Sequence, residues 1–308
     1  MRISVVVPFY NAERYLARCL DGLLSQSLPR RDYEIILVDN NSTDGSVGRA
    51  RTYADVCLLH QPVQGSYAAR NLGIGRAQGD VIATIDPDCR PAPHWLESIG
   101  ACMQDPACGI LLGPRRTENS SPALALLAAY EDEKIAYVVD RKVPEMYYGY
   151  TNNMAVRRTV FDRVGPFPER LRGGDTMFVQ RAVDILGCDV VRFSPRMEVT
   201  HLEISTVGDY YRKRTIYGRS NERIGRAVAF RPLNHRERWE VFRRLVRVHD
   251  LSAMQALQLL TLLVPGAMLY EWGRRRSARR VRRARCARCA GRLGMATGAT
   301  TSHASNVG

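Results

Sequence analysis

The chain has 308 residues, of which 45% are hydrophobic and 25% charged, and its net charge is +14. This composition is typical of a folded globular protein and excludes a collagen-like or largely disordered chain. Ten arginines and no acidic residue fall within residues 273–292, so the rest of the chain carries only +4 (14 − 10). Such a segment favours an anionic membrane surface or a nucleic acid as partner, and the sequence does not choose between them.

Residues 1–115 alternate between strand and helix patterns. Strands are predicted at 2–8, 33–38, 56–59 and 81–85, with helices near 12–24, 44–54 and 66–78. Asn11 is the expected N-cap of the first helix. The alternation predicts an α/β fold with a mainly parallel sheet flanked by helices.

Three polar segments follow predicted strands directly, at residues 8–11, 39–42 and 86–88. Ligands bind at the C-terminal ends of strands in such sheets, so we expect the three segments to converge on one crevice. Asp86 and Asp88 form an acidic pair that can chelate a hard cation together with diphosphate oxygens, although a lone pair of this kind is more often a solvated turn. Asp39 can accept hydrogen bonds from a ribose or a base, or cap the next helix.

Four further polar residues are candidates for the same site. Arg70 and Asn71 precede the acidic pair by one helix, and the arginine can meet a phosphate, brace Asp86 or form a surface salt bridge. Asp175 begins a predicted helix after two glycines and is our candidate general base, with a favourable helix-dipole contact as the plainer alternative. His201 ends a predicted strand; it is either structural or the nitrogen ligand that a transition metal favours.

The C-terminal part differs in character. Residues 251–270 carry no charge and are about long enough to cross a bilayer, but they contain a Pro-Gly pair and two glutamines. A spanning helix would place the arginine segment outside, so an interfacial or re-entrant helix is favoured, with a buried helix as the alternative. Trp239, Phe242 and Val246 share one face of the preceding predicted helix.

The eight cysteines are dispersed and do not indicate a disulfide framework. Cys286 and Cys289 form a CxxC pair without the second pair or histidines that a zinc site needs. The N-terminal residues do not match a secretory signal peptide. We therefore expect an intracellular catalytic body.

Four motifs resemble family 2 glycosyltransferases with the GT-A fold. In chain order they are VVVPFYN at 5–11, ILVDNNSTDGS at 36–46, ARNLGIGRAQGDVIATIDPDCRP at 69–91 and VGPFPERLRGGDTMFVQRAVDILG at 164–187. The resemblance covers residues 3–220. It implies an inverting sugar transfer from a UDP-, GDP- or dTDP-sugar, assisted by Mg²⁺ or Mn²⁺.

The resemblance also implies roles for single residues. Asp175 matches the carboxylate that deprotonates the acceptor, and the metal ligands are Asp86, Asp88 and His201. Pro8, Tyr10 and Asp39 match nucleotide-holding positions, and Asn153 matches a position in the sugar pocket. The predicted nucleotide-sugar site is completed by their neighbours Asn11, Asn41, Ser42, Arg70, Asn71 and Asp86.

The sequence departs from the family pattern in two places. Gly174 stands where a glutamate commonly precedes the base, which leaves open acceptor recognition and a catalytically inactive, lectin-like relative. The QxxRW motif of processive synthases is absent; Arg214 and Arg219 lie in that region as candidate phosphate contacts. A single-addition enzyme is therefore expected.

The predicted organisation is a GT-A domain at 1–230, with a nucleotide-sugar-binding half (1–115) and an acceptor half (116–230). A helical membrane-associated segment follows at 231–272, and a basic, disordered tail at 273–308. The predicted location is cytoplasmic, peripheral or monotopic at the inner face of the cell membrane, with a glycan or lipid-linked saccharide as acceptor. The alternatives are a metal-dependent nucleotidyl- or phosphotransferase and a nucleic-acid-binding protein acting through the arginine tail; no recognition module supports the latter.

Overall fold

The computed structural model describes residues 1–118, 121–169 and 172–297, with side chains through residue 279. Its strands are β1 (Ile3–Phe9), β2 (Tyr33–Asp39), β3 (Cys57–His60), β4 (Val81–Ile85), β5 (Cys89–Pro91), β6 (Ile110–Leu112), β7 (Arg115–Thr117), β8 (Asn153–Arg157), β9 (Val191–Phe193) and β10 (Val199–His201). Its helices are α1 (Glu13–Leu24), α2 (Ser46–Arg51), α3 (Ser66–Arg76), α4 (Trp95–Cys102), α5 (Pro122–Arg141), α6 (Arg158–Val164), α7 (Gly174–Leu186), α8 (Val207–Ile224), α9 (His235–Val248) and α10 (Ala253–Thr297).

The main sheet has seven strands in the order β3-β2-β1-β4-β8-β6-β9. Strands β3, β2, β1 and β4 run parallel, whereas β8 is antiparallel to both of its neighbours. A second, three-stranded sheet has the order β5-β10-β7. The α/β fold class predicted from the alternating pattern is confirmed.

Alternating side chains of the central strand explain why helices cover both faces of the sheet. On β1, Val6 packs into one apolar cluster, while Val5 and Val7 pack into the other. Successive side chains of a strand point to opposite faces, so a continuous valine run fits a strand that is buried on both sides. The parallel strands β1, β2 and β4 then present their C-terminal ends at one edge, which we call the sheet edge.

The C-terminal helices are packed into this domain instead of forming a separate segment at 231–272. Val241 and Leu245 of α9 and Leu259 of α10 belong to the core that also contains α5. Within the stretch Ala253–Arg279 of α10, an 18-residue window has a mean hydropathy of 1.4, and 17% of that window is buried. By length and composition this stretch could cross a membrane.

The boundary of the predicted disordered tail at 273 is not where the helix ends. Helix α10 continues to Thr297 because arginine and alanine, which dominate residues 273–292, are strong helix formers. Residues 298–308 lie outside the described residues, as do the side chains of the predicted CxxC pair.

Candidate active site

Two loops meet at the sheet edge. Asn40 N–H donates to the Phe9 carbonyl (2.9 Å), and Thr43 N–H donates to Asn11 Oδ1 (2.8 Å). The Ser42 hydroxyl accepts from Asn11 N–H at 3.1 Å. The structure thus brings residues 8–11 and 39–42 together, as the sequence predicts. Asn11 is not the helix cap, however, because Ala12 takes that position and the Asn11 side chain joins the two loops instead.

Asp39 is buried at the end of β2 with both carboxylate oxygens in contact with neighbours. Oδ1 accepts from Ser42 N–H (3.0 Å), and Oδ2 lies 3.1 Å from His60 Nδ1. Pro8 lies in β1, whereas Tyr10 is 51% exposed beside this carboxylate loop and leaves an aromatic face accessible. Asn41 has a positive φ of 66° and donates to the Pro62 carbonyl (3.0 Å).

Asn40 is a site-building residue that the sequence motifs did not single out. Its side-chain amide donates to the carbonyls of Gln61 (3.0 Å) and Val63 (2.8 Å), and its Oδ1 accepts from Gly65 N–H (2.7 Å). These bonds fix residues 61–65 against the sheet edge. Its only sequence signal is the asparagine doublet after Asp39.

Asp86 is braced by a buried arginine. Arg70 is 4% exposed and forms an ion pair with Asp86, while it also donates to the Ser66 carbonyl (3.2 Å). The surface salt-bridge alternative for Arg70 is therefore wrong. Asn71 does not reach the crevice, because its side chain is hydrogen-bonded to the backbone of Phe167. Its amide donates to the Phe167 carbonyl (2.9 Å), and its Oδ1 accepts from Phe167 N–H (3.1 Å).

Asp88 and His201 are brought together by the small sheet. Strand β10 pairs with β5 so that His201 lies opposite Cys89, and His201 Nε2 is 3.6 Å from Asp88 Oδ2. Burial, with a contribution from Asp86, raises the pKa of Asp88 to about 7. Burial, and secondarily the charge of Lys213, lowers the pKa of His201 to about 3, so the imidazole is neutral at physiological pH.

Lys213 supplies a positive charge to this cluster, and the sequence did not predict it. Its ammonium is 2.9 Å from Glu203 Oε2 and 3.1 Å from His201 Nε2. Helix α8 therefore delivers a cation to the buried carboxylate and imidazole. Such a group stabilises acidic residues that would otherwise be costly to bury.

The donor set fits a divalent cation. Ligand atoms of Asp88, Cys89 and His201 all lie within 4.8 Å of one another. Asp86 precedes Asp88 by two residues. Burial raises the pKa of the Cys89 thiol well above its ordinary value, so this group is a poor ligand at neutral pH. The remaining two carboxylates and a neutral imidazole suit Mn²⁺, and with less preference Mg²⁺.

Asp175 lies at the start of α7, where its orientation is fixed locally. Gly173 has φ +84°, a left-handed conformation that favours glycine, and turns the chain into the helix. Asp175 Oδ1 accepts from Thr176 N–H (2.8 Å), and its side chain hydrogen-bonds the Tyr67 hydroxyl. Burial raises the pKa of Asp175 above its ordinary value.

The missing glutamate at position 174 has a steric explanation. A Cβ on Gly174 would lie 2.5 Å from the Pro168 carbonyl oxygen and 3.0 Å from the Tyr67 ring. Tyr67 thus fills the space that a side chain beside the base would need. It is a site residue that the sequence motifs did not reveal.

Asn153 does not line a sugar pocket. It is fully buried, accepts from Trp95 Nε1 (2.8 Å) and donates to the carbonyls of Pro114 (2.8 Å) and Met197 (2.7 Å). The prediction was wrong because Asn153 begins β8, a strand whose side chains are buried on both faces. Its neighbour Asn152 lines the cavity instead, with its Oδ1 buried and without a hydrogen-bond partner in the described structure.

A cavity of about 860 Å³ joins the candidate catalytic and metal-binding groups to the C-terminal helices. One end holds Asp86, Asp88, Asp175 and His201, and the other reaches α9 and α10. Arg214 lines it and pairs with Glu131 (3.0 Å), whereas Arg219 lies over the Trp272 ring at 5.7 Å. The second of these predicted phosphate contacts therefore lies away from the acidic pair.

The chain is similar in sequence to known glycosyltransferases. The family model described as glycosyl transferase family 2 matches residues 4–165. The glycosyltransferase AglE of Haloferax volcanii is 32% identical over 206 residues, which cover 62% of this chain and 67% of that protein.

Two solved structures share the fold. The mannosyltransferase PcManGT from Pyrobaculum calidifontis, in complex with GDP-Man and Mn²⁺, superposes with a TM-score of 0.57 at 20% identity, covering 96% of this chain and 79% of the other. Residues 1–349 of S. aureus TarS in complex with UDP-GlcNAc give a TM-score of 0.54 at 15% identity, covering 88% and 82%.

Proposed function

The chain belongs to glycosyl transferase family 2, and from that premise we propose that it transfers a sugar from a nucleoside-diphosphate sugar to an acceptor hydroxyl with inversion at the anomeric carbon. The observation that carries the proposal is that the acidic pair and Asp175 line one cavity. A donor site and a base are thereby open to the same space.

The donor nucleotide is proposed to lie at the sheet edge. Tyr10 offers an exposed ring for the base, and the loop around Asp39 offers hydrogen-bonding groups for the ribose. The neighbours with bound GDP-Man and UDP-GlcNAc support this class of donor, here a UDP-, GDP- or dTDP-sugar.

A divalent cation, Mn²⁺ or Mg²⁺, would be held by Asp86, Asp88 and His201. Bound there, it would offset the negative charge of the diphosphate. Arg70 keeps Asp86 in place through its buried ion pair. The PcManGT complex with Mn²⁺ supports this class of cofactor.

Asp175 is proposed to be the general base. The acceptor oxygen attacks the anomeric carbon, the bond from that carbon to the diphosphate oxygen breaks, and the acceptor proton passes to the Asp175 carboxylate. Its raised pKa makes this carboxylate a stronger base than an ordinary aspartate. No enzyme nucleophile is needed.

The test is product analysis with the full-length protein, Mn²⁺, each of the three donor classes and a lipid extract as the acceptor pool. We expect release of a nucleoside diphosphate together with sugar transfer. Release of pyrophosphate or of a nucleoside monophosphate would instead support a nucleotidyl- or phosphotransferase.

The C-terminal helices are proposed to rest on a membrane surface, most consistently as an interfacial element at the cytoplasmic face. They expose a group of large apolar side chains and carry arginines on both flanks, a pattern that favours an anionic bilayer. The exposed apolar residues are Trp239, Val248, Met254, Leu257, Val264, Met268 and Trp272. A lipid-linked saccharide or a surface glycan precursor fits this location as acceptor.

Vesicle flotation tests the membrane proposal. The wild-type protein should float with phosphatidylglycerol-containing vesicles, and the exposed substitutions Leu257→Glu and Met268→Glu together should abolish flotation. Ile185→Glu, at another exposed apolar residue (47% exposed), is the matched control and should float. Flotation that both sets of variants retain equally would contradict the proposed surface.

A further inference from the structure

The cavity continues well past the catalytic groups. Thr176, next to the base, contacts the Gly149 carbonyl through its hydroxyl (3.4 Å), and Tyr148 and Tyr150 flank that glycine. Arg115 lies 3.8 Å over the Tyr150 ring. The cavity wall next to the proposed base is therefore formed by buried aromatic rings, and a cationic side chain lies over one of these rings.

Two more cations complete this wall. The Lys134 ammonium lies 5.5 Å from the centre of the Tyr148 ring and pairs with Glu131. Arg214 pairs with the same carboxylate at 3.0 Å. We call Arg115, Lys134 and Arg214 the cationic wall.

The cationic wall has more positive than negative charge. Glu131 is shared by Lys134 and Arg214, and among the described residues Arg115 forms no ion pair with a carboxylate. The nearby Asp132 is paired with Arg116. Burial, with smaller contributions from Arg214 and Arg115, lowers the pKa of Lys134 to about 8, whereas the ion pair with Glu131 acts in the opposite direction. An anionic ligand would correct this imbalance.

Polar atoms beside the cationic wall are also left without partners. The Tyr148 hydroxyl and Arg214 Nε are buried and have no hydrogen-bond partner in the described structure. Asn152 Oδ1 is in the same condition. Buried polar groups are normally paired, so this set points to a ligand with several hydrogen-bonding oxygens.

Beyond the cationic wall the cavity becomes apolar. Arg214 lies over the Tyr270 ring (5.3 Å), and the lining then continues onto α9 and α10. Trp239 and Val264 belong both to this lining and to the exposed apolar surface, with exposures of 49% and 58%. The cavity therefore opens onto the proposed membrane face. This apolar mouth comprises Trp239, Phe242, Leu260, Leu263, Val264 and Ala267.

We propose that the cavity binds a lipid phosphate that carries the acceptor group, with its phosphate on the cationic wall and its long hydrocarbon chain leaving through the apolar mouth. The proposal rests on the proposed function, since it places the acceptor end of this molecule near Asp175. Arg115 and Lys134 offer charge-assisted donors for the phosphate. A soluble phosphate ester would satisfy the same cations but leave the apolar mouth without a role.

Binding of farnesyl phosphate, farnesol and inorganic phosphate to the full-length protein in non-ionic detergent tests the proposal. Calorimetry should show farnesyl phosphate binding at least about tenfold more tightly than either partial probe, because charged hydrogen bonds and apolar burial each contribute. Lys134→Met and Arg115→Met should each weaken farnesyl phosphate by about tenfold or more. Lys134→Arg should restore most of the affinity.

Three controls separate this site from others. Lys142→Met makes the same change at an exposed lysine paired with Asp189, outside the cavity, and should change nothing. Val264→Glu places a charge at the apolar mouth and should weaken farnesyl phosphate while leaving inorganic phosphate unchanged. Nucleotide binding with Mn²⁺ should be the same in all these variants.

Each opposite result is decisive. Equal binding of farnesol and farnesyl phosphate would remove the phosphate site, and inorganic phosphate binding as tightly as farnesyl phosphate would assign the wall to a soluble acceptor. Lys134→Met binding like the wild type would also overturn the proposal. If the protein binds nucleotide normally in these cases, only the acceptor inference fails. A wild-type protein that binds no nucleotide would instead contradict the proposed function.

Discussion

The sheet edge and the cavity wall treat their polar side chains in opposite ways. At the sheet edge, Asn40 and Asp39 have hydrogen-bond partners at each of their side-chain oxygens. In the cavity, the Tyr148 hydroxyl and Asn152 Oδ1 are buried and have no such partner within the described part of the chain. Fully hydrogen-bonded side-chain networks are rigid, whereas buried polar groups without partners indicate a place where a ligand can bind.

This difference suits the two regions to different roles, donor binding at the sheet edge and acceptor recognition in the cavity. A preformed sheet edge can bind a common donor with little rearrangement, since its loops are already fixed. The cavity wall is where a particular acceptor would be recognised, because its charges are completed only by a partner.

Asp175→Asn should lower kcat by about 10²–10⁴-fold, because general-base catalysis contributes roughly that much. Nucleotide affinity should stay unchanged, since the base is not part of the sheet edge. Both are measurable by nucleoside-diphosphate release and by calorimetry. Asp184→Asn, the same change at an exposed position of α7, is the control. Equal activity of the two variants would remove Asp175 from the mechanism.

At saturating Mn²⁺, which would keep Asp88 ionised, the pH dependence of kcat should follow Asp175. Burial raises its pKa above the ordinary value of 3.8, and only the deprotonated carboxylate accepts a proton. Activity should therefore fall as pH decreases through this raised pKa, by about tenfold per unit below it. A pH–rate profile measures this, and Asp175→Asn should lose this acid limb. An acid limb that persists in the variant would assign it to another group.

Asn40→Ala should reduce the free energy of unfolding by about 1–3 kcal/mol, because it removes three part-buried hydrogen bonds to the backbone of residues 61–65. Nucleotide affinity should fall with it as the loop loosens. Urea denaturation and calorimetry report the two effects. An unchanged stability would mean that the loop is held by other contacts.

Asn152→Ala should change the free energy of unfolding by less than about 0.5 kcal/mol, since its oxygen has no hydrogen-bond partner among the described residues. Its effect should appear instead as weaker acceptor binding. A loss of stability comparable to that of Asn40→Ala would erase the contrast between the two regions.

The sheet edge was largely predictable because strand patterns locate it directly. Asp39, Asp86 and Asp88 follow apolar runs, so topology alone brings them to one side. The assignment failed at Asn153 because this residue begins β8 and pairs with Ile85, in a strand that is buried on both faces. Asn152 lies in the turn before the strand and lines the cavity.

The cavity wall was not predictable for a different reason. Lys134 on α5 and Lys213 on α8 come from distant parts of the chain, and their positions depend on helix packing that leaves no local motif. Two of the chain's three lysines therefore line the cavity without a sequence signal. Tyr67 likewise has no sequence signal, because only the fold places its ring against Gly174.

The central claim is that the acidic pair forms a metal-dependent nucleotide site. Calorimetric titration of UDP, GDP and dTDP, with and without Mn²⁺, compares wild type with Asp88→Ala, and Asp184→Ala serves as the control. We expect one nucleotide to bind only with Mn²⁺, in wild type and control but not in Asp88→Ala. Folded wild-type protein that binds none of the three nucleotides under either condition would contradict the account.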